Sequence, residues 1–362
     1  MYVVRPVERA DIGALEAMAA ASTPGVHTLP RTREGVHAAV ERSIASFAAH
    51  VDIPSEESYL FVLEDLRARE VVGSAIIHAS AGSNGTYFAF RNDVIQQVSR
   101  DLNISHSVHA LTLCSELTAY SQLSGFFLND REHAGVEAAL LSRARLLYAM
   151  LAPHRFGDRF FVPLAGRLDQ DGESPFWNAL GRKFFKMDFL EAERLIEGAR
   201  NRTLIVELMP HYPVYVPLLP GDAQAALGQI HPSGQLAFDL LTQEGFEADD
   251  YIDIFDGGPI LQAHRNGLRS FCASHRLKVA GAGHDGQAAG DDASVDYAVA
   301  GVGQHFRAVS MRSAPLEQAQ TVYLPREVQA ALGVTAGDEV VCVRIGVSGA
   351  SGAAAEGEFA CS

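Results

Sequence analysis

The chain has 362 residues, 48% of them hydrophobic and 20% charged, with a formal net charge of −15. That length exceeds one small domain, and the composition is that of a globular protein, not a disordered or fibrous one. The acidic balance excludes polyanionic partners, so no nucleic acid and no anionic membrane surface is expected, and no uncharged apolar run is long enough to span a bilayer.

Four cysteines, Cys114, Cys272, Cys342 and Cys361, show no C-x-x-C spacing. A reducing compartment and no structural zinc are expected from that. The amino-terminal MYVVRPVERAD carries charge from its fifth residue and has no apolar signal core, so a cytoplasmic protein is expected.

Taken in order, Tyr2 to Val4 reads as a short strand closed by Arg5-Pro6. Asp11 is placed as the N-cap of a helix with Ile12, Leu15 and Met18 at helical spacing. A second helix is expected from its cap Thr32 to His50. The runs Tyr59 to Glu64 and Val71 to His78 flank a polar turn, which predicts an antiparallel hairpin. Residues 80–110 are less regular, with Gly82, Gly85, Tyr87, Phe88 and Phe90, and are expected to form an insertion over one face of the sheet.

Residues 111–150 hold the most informative stretch. A segment rich in Leu, Phe and small residues runs to Phe126–Leu128, a polar turn follows at Asn129-Asp130-Arg131, and a long amphipathic helix opens. Free N–H groups and the positive dipole end at such a helix start bind phosphate. The turn holds one glycine, Gly135, where loops of this kind carry two or three.

Downstream, Arg159 to Pro163 is a strand, and the loop LDQDGESP leads through Ser174-Pro175, cap and first turn, into a helix from Phe176 to Phe185. Thr203 to Leu208 is expected as a strand and MPHYPVYVPLLP as an extended loop. Asp222 to Ile230 reads as a short helix ending at His231-Pro232, and Gln235 to Gln243 as a helix stopped by Gly245. Tyr251 to Phe255 is a strand that turns at Gly257-Gly258. Beyond it, the stretch near 280–294 looks like an exposed linker, and VYLPREVQAALGVTAGDEVVCVRI reads as part of a small β-barrel. The expected organisation is a main domain over 1–258, a small β-rich domain over 259–346 and a disordered tail over 347–362. The fold class is α+β, a mixed sheet with helices on both faces.

This order, with strand, turn and long helix at its centre, resembles the Gcn5-related N-acyltransferase fold. The blocks RPVERAD, YLFVLED, SPFWNALGRKFF, ELMPHYPVYVPLLP, GQIHP and YIDIFDGGP narrow the match. Over roughly residues 1–345 they resemble the bacterial arginine N-succinyltransferase family, and HALTLCSELT with Phe90 to Asn92 is similar to its α subunits. The resemblance implies transfer of succinyl from succinyl-CoA to the α-amino group of L-arginine, or of ornithine, in arginine catabolism. It also implies a heteromer with a β subunit and no permanently bound cofactor. By the same resemblance His231 matches the family's proton donor, and Phe126 falls where a succinyl-CoA contact is expected. Leu128, Gly135 and Ala138 complete the expected acyl-CoA surface.

The turn departs from the fold's usual pattern. Aligned on Leu140-Leu141-Ser142, it offers His133, Val136 and Ala138 where Gln or Arg, Gly, and Gly or Ala are usual. A β-branched Val there blocks close approach of phosphate to the backbone. Two readings therefore stand: a succinyltransferase using His231, and a non-catalytic subunit of the same fold with a degenerate CoA loop.

Direct amide formation needs a neutral amine, a stabilised oxyanion and a proton for the departing thiolate, and imidazole suits the last role. His211 is a second loop histidine and a candidate substrate contact. Glu207, Asp253 and Asp256 are carboxylates able to hold a guanidinium bidentately, against the plainer reading of turn formers. Phe176 and Trp177 read as core. His106 and His109 have no third ligand placed by sequence, so no metal is expected.

Overall fold

In the computed structural model, which describes residues 1–22, 29–30, 32–196, 205, 207–282, 294–303 and 305–346, the strand-forming runs join one mixed sheet. In chain order the strands are β1 (Tyr2–Pro6), β2 (Ser58–Asp65), β3 (Glu70–His78), β4 (Ala89–Ser99), β5 (Ile104–Cys114), β6 (Ser121–Leu128), β7 (Arg159–Pro163), β8 (Val214–Tyr215), β9 (Glu247–Ile252) and β10 (Pro259–His264). The C-terminal set is β11 (His275–Ala282), β12 (Val295–Gly301), β13 (Ala308–Ser313), β14 (Thr321–Leu324) and β15 (Glu339–Arg344). Across the sheet they lie as β14-β11-β15-β12-β13-β1-β2-β3-β6-β7-β10-β9-β4-β5-β8. Among the described ladders only β6–β7 and β11–β14 are parallel.

Three helices cover the middle of this sheet: α1 (Ile12–Ala21), α2 (Arg33–Ala48) and α3 (Val136–Leu151). On one face α1 and α2 bury Leu15, Met18, Val36 and Val40 against Leu60, Val62, Ile76 and Phe127. On the other, α3 buries Leu140, Leu141 and Leu147 against Phe61, Leu63, Ile77 and Leu123. Adjacent residues such as Ile76 and Ile77 thus face opposite helices, as the two-residue period of a strand requires. Every residue from Ala138 to Leu147 is buried, including Arg143 and Arg145.

Several local expectations hold. Thr32 caps α2 by accepting the Gly35 N–H at 3.0 Å, and Ser174 accepts the Trp177 N–H at 3.0 Å. Gly245 ends the helix Gln235–Glu244 at φ +111°. Phe176 and Trp177 are core. Others need correction. Asp11 stands at the N-cap position of α1 as expected, but its side chain makes no cap bond to that helix; the carboxylate accepts the Glu8 N–H at 2.8 Å and pairs with Arg5. The helix expected to end at Phe185 is two short ones, Pro175–Ala179 and Gly181–Phe185. Asp222 to Ile230 is helical only over Gly221–Ala226, because Gly228 turns the chain at φ +68°. The strand placed at 251–255 runs over Glu247–Ile252. Of the strand expected at 203–208, Ile205, Glu207 and Leu208 are helical, and 203, 204 and 206 lie outside the described residues. So do most of the linker stretch (283–293) and the tail (347–362).

Residues 80–110 do not cover a face of the sheet but extend it. β4 and β5 pair along their full eleven-residue lengths, from Ala89↔Cys114 to Ser99↔Ile104. Neighbours flank only the base, β9 at Phe90 and Arg91 and β8 at Ala110 and Leu111. Beyond that the ribbon leaves Val94, Val98, Leu102 and Ile104 exposed. The break expected at 258 falls inside the main sheet, since β10 lies between β7 and β9. Strands β11 to β15 form an open row joined to β1 through Val3↔Val309 and Val4↔Ala308, with no closing ladder among the described residues. They enclose their own core around Tyr297, Val299, Leu324, Leu332 and Cys342.

Candidate active site

The parallel pair β6–β7 is joined only at Ser121↔Phe160 and Gln122↔Phe161. From Leu123 onward β6 pairs with β3 alone, while β7 continues beside β10. The two strands therefore splay into a cleft that opens toward their C-terminal ends. A bulge accents the opening: Ser74↔Phe127 and Ile76↔Ser124 are paired, leaving Gly125 and Phe126 opposite Ala75. Gly125 takes φ +59°, and a Cβ there would sit 2.7 Å from the Ile76 side chain. Glycine is required at this bend. Such a bulge re-aims the strand backbone, here at the cleft edge and at Phe126, whose ring is half-buried.

The opposite lip carries His231. Past the end of β7, Arg167 N–H donates to Gln229 O at 3.1 Å and His231 N–H to Ala165 O at 2.8 Å. Pro232 has no N–H, stops this pairing and opens a 3₁₀ turn, Pro232–Gly234. The imidazole caps that turn: Ser233 N–H donates to Nδ1 at 3.2 Å, and Ser233 Oγ lies 2.7 Å from the same nitrogen. A backbone N–H only donates, so Nδ1 is an acceptor and the neutral ring carries its proton on Nε2. Burial, and secondly the Arg131 guanidinium, hold this imidazole below its ordinary value.

Arg131 spans the mouth of the cleft. It leaves the turn after β6, lies 4.8 Å above the Phe127 ring, and donates from Nη1 to Ser233 O at 3.3 Å. The N-terminus of α3 beside it is occupied by the chain's own carboxylate: Gly135 N–H donates to Glu137 Oε1 at 2.8 Å. His133 is exposed and bonded to Asp130 at 3.0 Å.

His231 stands past the end of β7 and Phe126 on β6, the two strands that part here, and the other candidates are engaged elsewhere. Leu128 and Ala138 turn their side chains into the core, and the Gly135 N–H is taken by Glu137. Asp253 and Asp256 are buried turn formers, which corrects their reading as guanidinium contacts. Asp253 Oδ1 accepts the Phe255 and Asp256 N–H groups at 2.8 and 3.3 Å. Asp256 accepts from Gly166 at 2.6 Å and from Gly258 at 2.8 Å. Asp256 therefore fixes the segment beside which His231 hangs, a positioning role. Glu207 is exposed, and so is His211, which precedes β8, six strands from β6 in the sheet order. Arg131, Ser233, Glu137 and Arg145 were missed as site residues. An isolated glycine inside a strand and two arginines inside a buried helix are the sequence signals that could have exposed the bulge and Arg145. Among the described residues no group of three or more His, Cys, Asp or Glu could hold a metal, and no helix is long and apolar enough to cross a membrane.

Comparison with known proteins adds a consistent set of relatives. Residues 2–270 match the family model described as arginine N-succinyltransferase beta subunit. The chain is 47% identical over 279 residues to the arginine N-succinyltransferase subunit alpha of Pseudomonas aeruginosa, covering 77% of this chain and 82% of that protein. It is 34% identical over 345 residues to an arginine N-succinyltransferase of Escherichia coli, covering 95% and 98%. Among solved structures, arginine/ornithine succinyltransferase subunit AI of Pseudomonas aeruginosa superposes with a TM-score of 0.84 at 42% identity, over 96% of this chain and 99% of that one.

Proposed function

The chain belongs to the arginine N-succinyltransferase family, and on that premise we propose that the β6–β7 cleft transfers succinyl from succinyl-CoA to the α-amino group of L-arginine. It is an acyltransferase. The two subunit labels disagree, beta in the family model and alpha in the 47%-identical relative; the alpha reading follows the sequence identity. The observation that carries the active-site reading is the splay of β6 from β7 with His231 on the facing lip. That arrangement supports the Gcn5-related N-acyltransferase architecture. The acyl-CoA arm then lies along the edge of β6, with Phe126 beside the thioester.

In the reaction a neutral α-amine attacks the thioester carbon and forms the C–N bond. The carbonyl electron pair moves onto oxygen and returns as the C–S bond breaks. The departing thiolate takes a proton from Nε2 of the His231 imidazolium, and the ammonium formed on nitrogen gives up the proton that recharges the ring, so no net proton is lost or gained. Ser233 Oγ, 2.7 Å from Nδ1, holds the imidazole in place. Asp256 holds the lip through Gly166. Ornithine is a second acceptor in this reading, and arginine catabolism in the cytoplasm its setting.

Association with a β subunit is part of the same proposal. It is supported by the exposed apolar residues of the β4–β5 ribbon and by Tyr212 and Leu218 on the segments flanking β8, which together leave one sheet edge uncovered among the described residues. A second reading, a subunit that assembles without catalysing, is favoured by one observation, the Glu137 carboxylate on the Gly135 N–H. Turnover of the purified chain alone and with its β partner, beside calorimetry with CoA, separates the two. CoA binding and succinylation by the chain alone are expected. Full activity of the partner with no CoA binding here would establish the second reading instead.

A further inference from the structure

We propose that Arg145 is the receptor for the free carboxylate of the succinyl group, which makes it the residue that selects a dicarboxylic acyl donor. This rests on the reading of the cleft as a succinyl-CoA site. Arg145 is 1% exposed, on the face of α3 that packs against β3 and β6. Its Nε donates to Ser142 O at 3.3 Å and Nη2 to Ser142 Oγ at 3.4 Å. Its Nη1 donates to Ser124 O at 3.3 Å and to Ile76 O at 3.5 Å. All four acceptors are neutral and all four contacts are long, and no carboxylate pairs with it among the described residues. A cation removed from water without a counter-charge is costly and is retained where an anion arrives.

The same helix holds a second buried arginine, which does have a carboxylate partner although its Nη1 and Nη2 make no hydrogen bond. Arg143, two residues earlier and equally buried, has Nε on Glu244 Oε2 at 2.7 Å. Arg145 has no such partner, and burial lowers its guanidinium to about 9. Its position is the second argument. The guanidinium lies 5.6 Å from the Phe126 ring and on the carbonyls of Ser124 and Ile76, the pair that closes the bulge on its inner side. A succinyl chain puts its carboxylate roughly 4 Å beyond the thioester carbon, three C–C bonds of about 1.5 Å each. That is about one strand residue, ~3.3 Å, deeper than a thioester held at Phe126. It places the carboxylate at Gly125, one residue from the Ser124 carbonyl that Arg145 contacts.

The test is selectivity between succinyl-CoA and butyryl-CoA, a four-carbon donor without the second carboxylate, measured with L-arginine as acceptor and by binding constants. Wild-type protein is expected to prefer succinyl-CoA by about a hundredfold in kcat/KM, since the buried cation is left unpaired with the isostere. Arg145→Met is expected to lower the ratio of kcat/KM for succinyl-CoA over butyryl-CoA by about a hundredfold, toward one. Arg145→Lys, which retains the buried charge if the methionine variant does not fold, keeps about tenfold selectivity. Equal loss on both donors would show a staple for the bulge and overturn the proposal. So would wild-type protein that does not distinguish the two donors, or a lysine variant with the wild-type ratio. Absence of turnover with every donor in wild type would instead count against the function proposed for the cleft, and the binding constants would still decide the role of Arg145.

Discussion

On the face of α3 that packs against β3 and β6 a cation, Arg145, is buried with no carboxylate among the described residues, whereas at the start of the same helix, the mouth, a carboxylate, Glu137, already sits on the Gly135 N–H. In the proposed reading Arg145 receives an anion, whereas the mouth has supplied its own. Both belong to one helix, so the contrast is not a matter of fold but of two side chains on it, Glu137 and Arg145. It shows that a splayed strand pair and a helix start do not come as a unit. The acyl end can keep its chemistry while the phosphate end changes.

The sharpest way to break the comparison is His231→Ala. If the acyl end is catalytic, turnover falls by about 10²- to 10⁴-fold, the usual scale for a positioned proton donor. CoA affinity should be unchanged, because the imidazole contacts the Ser233 turn and not the mouth. Steady-state kinetics beside calorimetry read both. Wild-type turnover in this variant would remove His231 from the mechanism and leave the cleft without a proton donor on that lip.

How much of this was readable in the sequence depends on the distance over which each feature is held. Thr32, Ser174 and Gly245 cap their helices through bonds to residues within a few positions, so their residue types announced them. The hairpin β2–β3 was equally local. The β4–β5 ribbon was not recognised, because with both faces in solvent its sequence lacks the apolar/polar alternation of a half-buried strand. Asp253 and Asp256 failed in the other direction. Their type suits a guanidinium, but short-range turn chemistry had already taken their oxygens. Pro232 placed His231 on a loop, while its expected role as proton donor came from the resemblance to the family and not from the residue's spacing. The role of Arg145 was not, since its acceptor Ile76 lies 69 positions away on another strand.

Removing the carboxylate at the mouth tests the other half of the contrast. Glu137→Ala frees the Gly135 N–H and withdraws one negative charge from the helix start. A charge in that position is worth about 0.3–1 kcal/mol, so CoA should bind roughly two- to fivefold more tightly. Glu137→Gln keeps an acceptor without the charge and should fall between the two. The measurement is a CoA titration by calorimetry. An unchanged dissociation constant in Glu137→Ala would mean that the carboxylate does not stand in the way of the pyrophosphate.

The smallest effect expected is on the link between the two ends, Arg131, which reaches from the mouth to the Ser233 carbonyl. Its charge is the second cause, after burial, that keeps His231 below its ordinary value of 6.5. In Arg131→Gln burial still lowers the imidazole but the repulsion is gone, so the folded-state midpoint rises slightly. The sign carries through to stability. A histidine depressed in the folded state contributes stability that is present above the unfolded value and is lost as pH falls through the folded one. The variant should therefore resist acid slightly better than wild type, with its acid-side loss beginning from a smaller depression. An NMR titration of the imidazole Cε1–H signal that disappears in His231→Ala reads the midpoint directly. A midpoint that does not move in Arg131→Gln would leave burial as the sole cause and cut the electrostatic connection between mouth and lip.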